Sequence, residues 1–376
     1  MARLKLLTLV GTRPELIRLS ETIKKADKYF NHIFVHTGQN SDTNLSDVFY
    51  GDLDLRRPDY YLGVANDNLG QTIGNIIAKS YMLLQDVNPD AFLILGDTNS
   101  VLSALSAKRL KIPVFHMEAG NRCFDENLPE EINRRIVDHI TDVHLPYTEH
   151  ARRNLIAEGI RNEYIFVIGS PMREVVKANK TKIEASSILE QLSVEKGKYI
   201  VLSAHREENI DNPVTFNKLM NAINALAENY GFPIIYSIHP RSAKYIAERK
   251  FKFYGLIREM SPFKFTDYSR LMQDSFCVVS DSGTLSEEAA IHGFPAVSLR
   301  TSTERPEALD RGVIILGNND TYNVLNSVEM AVEMGEQNER SEIVSDYESF
   351  NVSSKVIRLI QGYTSVINRD VWRIIT

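Results

Sequence analysis

The chain has 376 residues, 43% of them hydrophobic, and its formal net charge is −6 at pH 7. This length exceeds the roughly 250–300 residues at which a single hydrophobic core stops growing, so two domains are expected. Mild acidity without a cluster of Lys and Arg argues against a nucleic-acid partner. Cys123 and Cys277 stand far apart in no ligand-like spacing, which argues against a disulfide framework and a cysteine-based metal site.

The sequence carries no recognisable membrane or export signal. No apolar run approaches the roughly 20 residues of a transmembrane helix. The N-terminal stretch MARLKLLTLVG is too short and too strand-like for a signal peptide. We therefore expect a soluble, cytoplasmic protein without a membrane partner.

Short β-rich runs alternate with helix-compatible stretches along the whole chain, which is typical of parallel sheets covered by helices. The first half contains the runs LKLLTLVG, HIFVHTG, AFLILGD, IPVFHMEAG and TDVHLPY. After YIFVIGSPM the alternation restarts with YIVLSAH, PIIYSIHP, FYGLIREM, SFCVVSDSG and FPAVSLR. The pattern predicts an α/β fold of two doubly wound domains that join near Gly169 to Met172. The closing stretch SKVIRLIQGYTSVINRDVWRII predicts an amphipathic helix.

Polar residues follow the predicted strands in both halves of the chain. In open α/β sheets, ligands bind outside the carboxyl ends of the strands. Polar strand ends from both halves therefore predict a cleft between the two domains. The stretches are GTRPE (11–15), GDTNS (96–100), HMEAGNR (116–122), SAHREEN (203–209), IHP (238–240) and SDSGTLSEE (280–288).

Each stretch has a structural and a functional interpretation, and the spacing leaves both open. GDTNS is typical of a strand that turns into a capped helix as well as of a ligand site. His116 and His239, flanked by apolar residues, fit satisfied strand-end histidines as well as catalysts. Ser282 and Gly283 would either cap a helix or present its free N–H groups to a phosphate.

The carboxylates at the strand ends carry more information. Bringing several carboxylates together costs free energy, because their charges repel one another, so a cluster indicates a function. The carboxylates are Asp97, Glu118, and the pair Glu130 and Glu131 beside two arginines. Helix capping and ion pairing are the structural alternative.

The motifs occur in a fixed order over nearly the full length: GTRPE, GDTNS, HMEAGNR, PEEINRR (129–135), AHREEN, SDSGTLSEE and TERPEAL (303–309). In this order the chain resembles the non-hydrolysing UDP-N-acetylglucosamine 2-epimerases. The resemblance implies a glycosyltransferase-B-like fold of two Rossmann-like domains with the nucleotide sugar in the interdomain cleft. The first domain would be 1–170, with the C-terminal helix 362–376 returning to it, and 171–361 would be the UDP-binding domain.

Residue by residue, the resemblance implies two sets of site residues. The catalytic set around the sugar is Asp97, Glu118, Glu130 and His205. The substrate- and UDP-binding set is Arg13, Arg18, Asn121, His239, Ser282, Gly283, Glu288 and Arg305. Arg13 would lie near the diphosphate, Ser282 and Gly283 would bind phosphate at a helix N-terminus, and Glu288 would bind the ribose hydroxyls.

The chemistry explains why carboxylates and a histidine would be needed. The C2 proton of an N-acetylamino sugar has no adjacent carbonyl, so something must acidify it before a base removes it. If UDP leaves C1 early, charge develops at C1, C2–H becomes acidic, and its loss gives a glycal. We expect Asp97 as the first base, Glu130 as the partner for reprotonation, His205 assisting the leaving diphosphate, and Glu118 positioning the sugar or sharing acid/base duty. This route needs no cofactor, neither NAD nor a metal.

The chain departs from the family pattern at two positions. Arg18 stands where the family usually has lysine, and Asn121 where it usually has leucine. Arginine is not a neutral replacement, because its planar fork seeks bidentate oxygen partners. Five stretches of the sequence resemble one branch of this family, which forms UDP-N-acetyl-L-fucosamine from UDP-2-acetamido-2,6-dideoxy-L-talose in capsule and O-antigen synthesis. They are HTGQN, LGDTNS, HMEAGNRCFDENLPEEINRRIVDH, GSPM and SAHREEN.

Other functions remain open at this point. They are the parent interconversion of UDP-N-acetylglucosamine and UDP-N-acetylmannosamine, a hydrolysing epimerase, a UDP-sugar glycosyltransferase and a non-catalytic UDP-sugar-binding module. The resemblance also suggests a homodimer. Incubation with UDP-sugars followed by NMR would separate inversion, release of free UDP and the absence of reaction.

Overall fold

The computed structural model describes residues 3–39, 43–337, 339 and 342–374, with residues 43–47 described by their backbone alone. It divides into two compact units. Unit 1 comprises Met1–Ala178 and Ser345–Thr376, and unit 2 comprises Asn179–Val344. Within the described residues, no helix combines the length and the apolar composition that crossing a membrane requires.

Unit 1 is built on a parallel sheet that has six strands in the described part of the chain, in the order β3-β2-β1-β4-β5-β6. Val10 of β1 pairs with His36 of β2, and Leu6 of β1 pairs with Ala91 of β4. Because β1 lies between β2 and β4, the order reverses beside it, and in such sheets this switch point borders the ligand site. The strands are β1 Lys5–Val10, β2 Asn31–His36, β3 Tyr60–Tyr61, β4 Ala91–Leu95, β5 Val114–Met117 and β6 Val143–Leu145.

Helices connect these strands, and local sequence sets where several of them begin. Pro14 and Pro129 occupy the first turns of two helices, where a missing N–H has no cost. The Asn68 side chain accepts a hydrogen bond from Gln71 N and caps a third. The helices are α1 Arg13–Tyr29, α2 Thr43–Asp52, α3 Leu69–Val87, α4 Ala104–Arg109, α5 Pro129–Ile140, α6 Glu149–Ala157 and α7 Met172–Ala178, with a 3₁₀ helix at Asn99–Ser103.

Unit 2 repeats this topology with its own parallel sheet of six described strands, in the order β12-β11-β10-β7-β8-β9. The first strand of the unit, β7, again lies between its second and fourth, so the switch point recurs. The strands are β7 Ile200–Ser203, β8 Ile234–Ser237, β9 Ile257–Met260, β10 Cys277–Ser280, β11 Ala296–Ser298 and β12 Ile315–Leu316.

The helices of unit 2 cover its sheet and complete its core. Asn212 and Asp320 cap the starts of the two longest, and Gly231 ends the first of these in the left-handed conformation. The helices are α8 Lys180–Glu184, α9 Ile188–Gln191, α10 Glu207–Ile210, α11 Pro213–Tyr230, α12 Pro240–Glu248, α13 Phe265–Gln273, α14 Leu285–His292, α15 Pro306–Asp310 and α16 Thr321–Glu336.

Central strands of both units are buried along their whole length, as the continuous apolar runs predicted. Every residue of β4 and of β10 is buried. Strands that helices cover on both faces bury both sets of alternating side chains, so an apolar run replaces alternation. The predicted α/β class, with two Rossmann-like doubly wound domains, is confirmed.

The borders between the units differ from those expected, which were 170/171 and 361/362. They lie at 178/179 and 344/345, because α7 and the segment after Val344 both pack with unit 1. The last helix, α17 Val352–Asp370, begins ten residues before the expected start at 362 and packs against α1. Glu174 of α7 accepts hydrogen bonds from the backbone N–H of Ser353, at 2.9 Å, and from the Ser353 hydroxyl. These bonds hold the first turn of α17. Ile375 and Thr376, at the end of the expected helix, lie outside the described residues.

Candidate active site

The carboxyl ends of β1, β4 and β5 bring the predicted residues of unit 1 together. These strands are neighbours in the sheet, so the turns that follow them lie side by side. Gly96 follows β4 with φ +80°, a left-handed conformation that glycine adopts without strain, and so turns the chain before Asp97. A Cβ atom on Gly96 would lie 3.8 Å from Oε2 of Glu118, which places that carboxylate beside the Asp97 turn.

Asp97 faces solvent on one side and an arginine on the other. Arg134 of α5 contacts Oδ2 of Asp97 with Nε at 2.9 Å and Nη2 at 2.7 Å. The same guanidinium donates from Nη1 to Glu131 at 2.9 Å. Oδ1 of Asp97 accepts no hydrogen bond from the described residues, and the side chain is 26% exposed. One oxygen is therefore anchored, and the other is available to a ligand.

Glu118 is held by both residues that depart from the family pattern. Nη1 of Arg18 donates to Oε2 of Glu118, and Nδ2 of Asn121 donates to Oε1 at 3.3 Å. All three side chains are buried. Glu118 also has φ +66°, a strained conformation for a residue with a side chain. Strain of this kind persists only where the surroundings fix it, so the position of this carboxylate is tightly determined.

Two adjacent glutamates at the start of α5 have different roles. Glu131 is buried and accepts hydrogen bonds from Cys123 N at 3.1 Å, Phe124 N at 3.3 Å and Arg134. Although burial acts to raise the pKa of Glu131, these hydrogen bonds lower it below the ordinary value. The side chain of Glu130 is half-buried and makes no hydrogen bond or ion pair with the described residues. Glu131 fixes the loop, and Glu130 is the member of the pair that can meet a substrate.

A fully buried polar network supports these turns from behind. His116 contacts Oδ1 of Asp138 with Nδ1 at 2.9 Å and the carbonyl oxygen of Gly96 with Nε2 at 2.7 Å. Oδ2 of Asp138 accepts from Gly120 N at 3.0 Å and from Arg122 at 2.8 Å. Burial raises the pKa of Asp138, but its bonds to His116 and the charge of Arg122 outweigh this and hold that pKa well below its usual range. The structural interpretation of His116 as a satisfied strand-end histidine fits this network.

Arg13, the residue expected near the diphosphate, begins α1 and places its guanidinium over the ring of Phe49, 5.5 Å from the ring centroid. Such a cation–π contact fixes the direction of the side chain.

In unit 2, the end of β7 presents His205 against a buried carboxylate. Nδ1 of His205 lies 3.3 Å from Oδ1 of Asp281, which is completely buried at the end of β10. Oδ2 of Asp281 accepts hydrogen bonds from His205 N and Arg206 N, each at 2.9 Å. The ring of His239 stacks on that of His205 with centroids 5.3 Å apart, and its Nδ1 accepts from Arg241 N to cap α12. Asp281 therefore fixes the backbone at His205, and His239 stacks on its imidazole.

The turn between β10 and α14 carries the remaining predicted UDP ligands. The Ser282 and Thr284 hydroxyls share a hydrogen bond at 3.0 Å, and that of Thr284 donates to Glu288 at 3.1 Å. A Cβ atom on Gly283 would lie 2.4 Å from Oε1 of Glu304, so any larger residue would displace that carboxylate. Main-chain N–H groups at the start of a helix suit an anion.

A layer of ion pairs lies beneath this turn. Arg300 contacts Glu304 at 2.6 Å, and Arg305 contacts Glu287 at 3.4 Å. All four side chains are buried, and Arg305 is 1% exposed. Arg206 reaches Glu304 from the β7 turn at 3.7 Å. The arginines are thus fixed by carboxylates before any ligand binds.

Several residues that contact the predicted site residues were not predicted from the sequence. Arg134 anchors Asp97, Asp138 braces the turns of unit 1, and Asp281 fixes the backbone at His205. Each lies inside or just beyond a recognised motif, so a signal was present: a charged residue at a buried position of a helix or strand end. Their partners are distant in sequence, and spacing alone cannot pair them.

The chain was compared with known proteins. Residues 22–361 match the family model described as UDP-N-acetylglucosamine 2-epimerase. The UDP-N-acetylglucosamine 2-epimerase of Methanococcus maripaludis is 36% identical over 331 residues, which cover 85% of this chain and 90% of the relative.

Two solved structures are also similar. UDP-N-acetylglucosamine 2-epimerase from Rickettsia bellii has a TM-score of 0.92 at 46% identity and covers 99% of this chain and 100% of its own. The Methanocaldococcus jannaschii UDP-GlcNAc 2-epimerase, solved in complex with UDP-GlcNAc and UDP, has a TM-score of 0.89 at 32% identity, with 95% and 99% covered. With the family model matching most of its length, the chain belongs to the UDP-N-acetylglucosamine 2-epimerase family.

Proposed function

We propose that the protein inverts C2 of a UDP-2-acetamido sugar without hydrolysing it, by eliminating UDP and adding it back. One observation carries the proposal: Asp97, anchored through one oxygen by Arg134, presents its other oxygen to solvent beside the buried carboxylate of Glu118. A base at C2 needs this arrangement, in which a fixed carboxylate keeps an accessible lone pair. Family membership supports the same reaction.

The proposed reaction has two balanced halves. The C1–O bond to UDP breaks, the C2 proton passes to Asp97, and the sugar becomes a glycal while UDP retains the electron pair. Glu130 then delivers a proton to the opposite face of C2, and UDP adds back to C1. Groups that transfer protons in this way are each typically worth about 10²–10⁴ in rate.

Glu118 is assigned a positioning role in this scheme. Arg18 and Asn121 each donate to one oxygen of its carboxylate, so this group is held in place as a hydrogen-bond acceptor. An ion pair of this kind suits a group that receives a hydrogen bond from a sugar hydroxyl or amide. In this scheme Asp97 and Glu130 act as the base and the acid at C2.

Unit 2 is proposed to bind UDP. Ser282 and Gly283 would offer main-chain N–H groups to the diphosphate, with Arg305 beneath them, and Glu288 would accept from the ribose hydroxyls. His205, whose backbone is fixed by Asp281, would assist the departing diphosphate. His239 would support His205 through their stacked rings. From unit 1, Arg13 is proposed as a further cation for the diphosphate. The proposal includes neither NAD nor a metal.

The decisive experiment follows the reaction by NMR in D₂O with UDP-sugars as substrates. Inversion with deuterium at C2 of the product is expected, because Glu130, which exchanges its own proton with D₂O, supplies the new hydrogen at C2. Free UDP with free sugar would instead identify a hydrolysing epimerase. Consumption only when an acceptor is added would identify a glycosyltransferase, and binding without reaction would identify a non-catalytic module.

For the substrate, we propose UDP-2-acetamido-2,6-dideoxy-L-talose, converted to UDP-N-acetyl-L-fucosamine for capsule or O-antigen synthesis. Arg18 and Asn121, the two departures from the family pattern, contact the same carboxylate, Glu118. A coordinated change around one sugar-binding group is expected when the hydroxyl arrangement of the sugar changes. The parent substrate, UDP-N-acetylglucosamine, fits the family match equally well.

Competition between the two substrates tests this assignment. Sites that bond a hydroxyl reject an analogue lacking it by up to about 10⁴–10⁵, whereas apolar pockets discriminate far less. We expect the L-talose sugar to have the higher kcat/KM. A higher kcat/KM for UDP-N-acetylglucosamine would assign the parent activity and leave both substitutions without a role in specificity.

We further propose that the protein is a homodimer that associates through the outer face of α5. Ile132 and Ile136, one helical turn apart, are 48% and 45% exposed, and Leu105 on the adjacent α4 is 41% exposed. Exposed apolar side chains grouped on one face are typical of an interface. Light scattering of Ile132→Glu should give the mass of a monomer, with Ile156→Glu, another exposed isoleucine, as the matched control. A dimeric Ile132→Glu variant would exclude this face.

A further inference from the structure

Glu15 is a buried carboxylate that the proposed mechanism does not use. It lies in the first turn of α1, 3% exposed, and three donors point at it. Gly11 N donates to Oε2 at 2.6 Å, and the Thr12 hydroxyl donates to Oε1 at 3.0 Å. The third donor is the Thr98 hydroxyl, 2.6 Å from Oε1. Gly11 and Thr12 follow β1, whereas Thr98 follows β4, so Glu15 connects two turns.

Thr98 is the neighbour of the proposed base, Asp97, and has a second contact. Its hydroxyl oxygen accepts from Ser100 N at 3.3 Å, which starts the 3₁₀ helix. On the other side, Asn133 donates to the Asp97 carbonyl oxygen at 2.9 Å. The backbone of Asp97 is therefore fixed from α5 on one side and, through Thr98, from Glu15 on the other.

The geometry favours an ionised Glu15. All three partners approach with a donor, and the Gly11 N–H can only donate, so Oε2 cannot carry a proton towards it. A proton on Oε1 would force a threonine hydroxyl to turn around. Burial nevertheless raises the pKa of Glu15 to about 7 against these hydrogen bonds, and the charge of Asp97, itself paired with Arg134, acts in the same direction as burial. Glu15 therefore changes charge near neutral pH.

We propose, building on the proposed function, that Glu15 is a positioning residue for epimerisation: its ionised carboxylate holds Thr98, and with it the turn carrying Asp97, against the β1–α1 turn. It touches no reacting atom. Its contribution is to keep the base within the narrow range of positions from which proton transfer occurs.

Glu15→Gln is the primary test, because glutamine keeps the shape but cannot accept from all three donors. We expect kcat to fall roughly 10- to 100-fold, as a displaced catalytic group produces, with KM and UDP affinity unchanged. The limb of the kcat–pH profile near pH 7 should disappear in the variant. Glu21→Gln is the matched control, since Glu21 lies on the same helix and pairs with Lys24 at the surface.

Thr98 supplies an independent variant pair. Thr98→Ser keeps the hydroxyl and should retain most of the wild-type kcat. Thr98→Val removes it and should reproduce the loss seen in Glu15→Gln. In the double variant the two losses should not add, because both substitutions weaken the same connection between Glu15 and Thr98. Additive losses would overturn the proposal.

Other outcomes also decide the question. Wild-type kcat and pH profile in Glu15→Gln would overturn the proposal, and so would an equal loss of kcat and UDP affinity. If the wild-type protein turned over no UDP-sugar, the proposed function would fail on its own. Hydrogen exchange at Val101 N, which donates to the Thr98 carbonyl oxygen at 3.1 Å, would then decide the role of Glu15. Faster exchange in Glu15→Gln than in Glu21→Gln supports that role, and equal exchange overturns it.

Discussion

At the strand ends of both units, a partly exposed side chain contacts a buried one of the opposite acid–base type, and the two units differ in which type is exposed. In unit 1 the carboxylate is outermost: the Asp97 side chain is 26% exposed and that of its partner Arg134 is 3% exposed. In unit 2 the base is outermost: the His205 side chain is 37% exposed and that of Asp281 is fully buried. The same topology therefore presents a proton acceptor on one sheet and groups suited to an anion on the other.

The buried member of each pair explains how the exposed member is fixed. Buried ion pairs are weak evidence for stability, because desolvation offsets much of their attraction. Removing one partner, however, leaves an uncompensated charge. Arg134 is thus best understood as orienting Asp97 rather than as a source of folding free energy. Asp281 in turn fixes the backbone at His205.

The largest effect that separates the two units is expected at Asp97. Asp97→Asn should lower kcat by about 10²–10⁴, because the amide cannot accept the C2 proton. UDP affinity, measured by calorimetry, should stay unchanged, since Asp97 is proposed to contact the sugar at C2 and not the UDP group. Asp86→Asn, an exposed site on α3, is the control. An equal loss of UDP affinity would show that Asp97 acts in binding or folding.

The converse result is expected at Gly283 in unit 2. In Gly283→Ala the new methyl group would lie 2.4 Å from Oε1 of Glu304 and displace a carboxylate that pairs with Arg300. UDP affinity should fall roughly tenfold, about 1.4 kcal/mol, while kcat at saturation changes less. Gly255→Ala, with open space around its Cβ, is the control. Wild-type UDP affinity in Gly283→Ala would remove this turn from the UDP site.

The contrast between the units was predictable only in part. The apolar runs of β4 and β10 and the polar residues behind them predicted the sheets and their functional edge, because these features are local. The border at 344/345 was not predictable, since it depends on Glu174 binding Ser353, which is 179 residues away. The convergence of Arg18 and Asn121 on Glu118 was hidden for the same reason, as Arg18 is 100 residues distant.

A smaller effect, on the preference between the two sugar substrates, is expected at Arg18 in unit 1. Arg18→Lys replaces a planar fork by a point charge and should loosen Glu118. Loss of one charge-assisted hydrogen bond, about 1.5 kcal/mol, should reduce the kcat/KM ratio of the L-talose sugar to UDP-N-acetylglucosamine roughly tenfold. Arg109→Lys, at the end of α4, is the control. An unchanged ratio would separate Arg18 from sugar choice.

The last effect concerns stability, where unit 1 is expected to show a pH dependence that originates at Glu15. Burial raises the folded-state pKa of Glu15 from 4.5 to about 7, so between these values the folded state binds more protons than the unfolded state. The stabilising contribution of the protonated group is complete below pH 4.5, declines as the pH rises towards 7, and is lost above it. Glu15→Gln lacks this titration. Relative to the variant, the wild-type free energy of unfolding should therefore fall by at most about 1.4 kcal/mol per pH unit across that window. Urea denaturation at half-unit pH steps measures the difference, and a constant difference would mean that folding leaves the pKa of Glu15 unchanged.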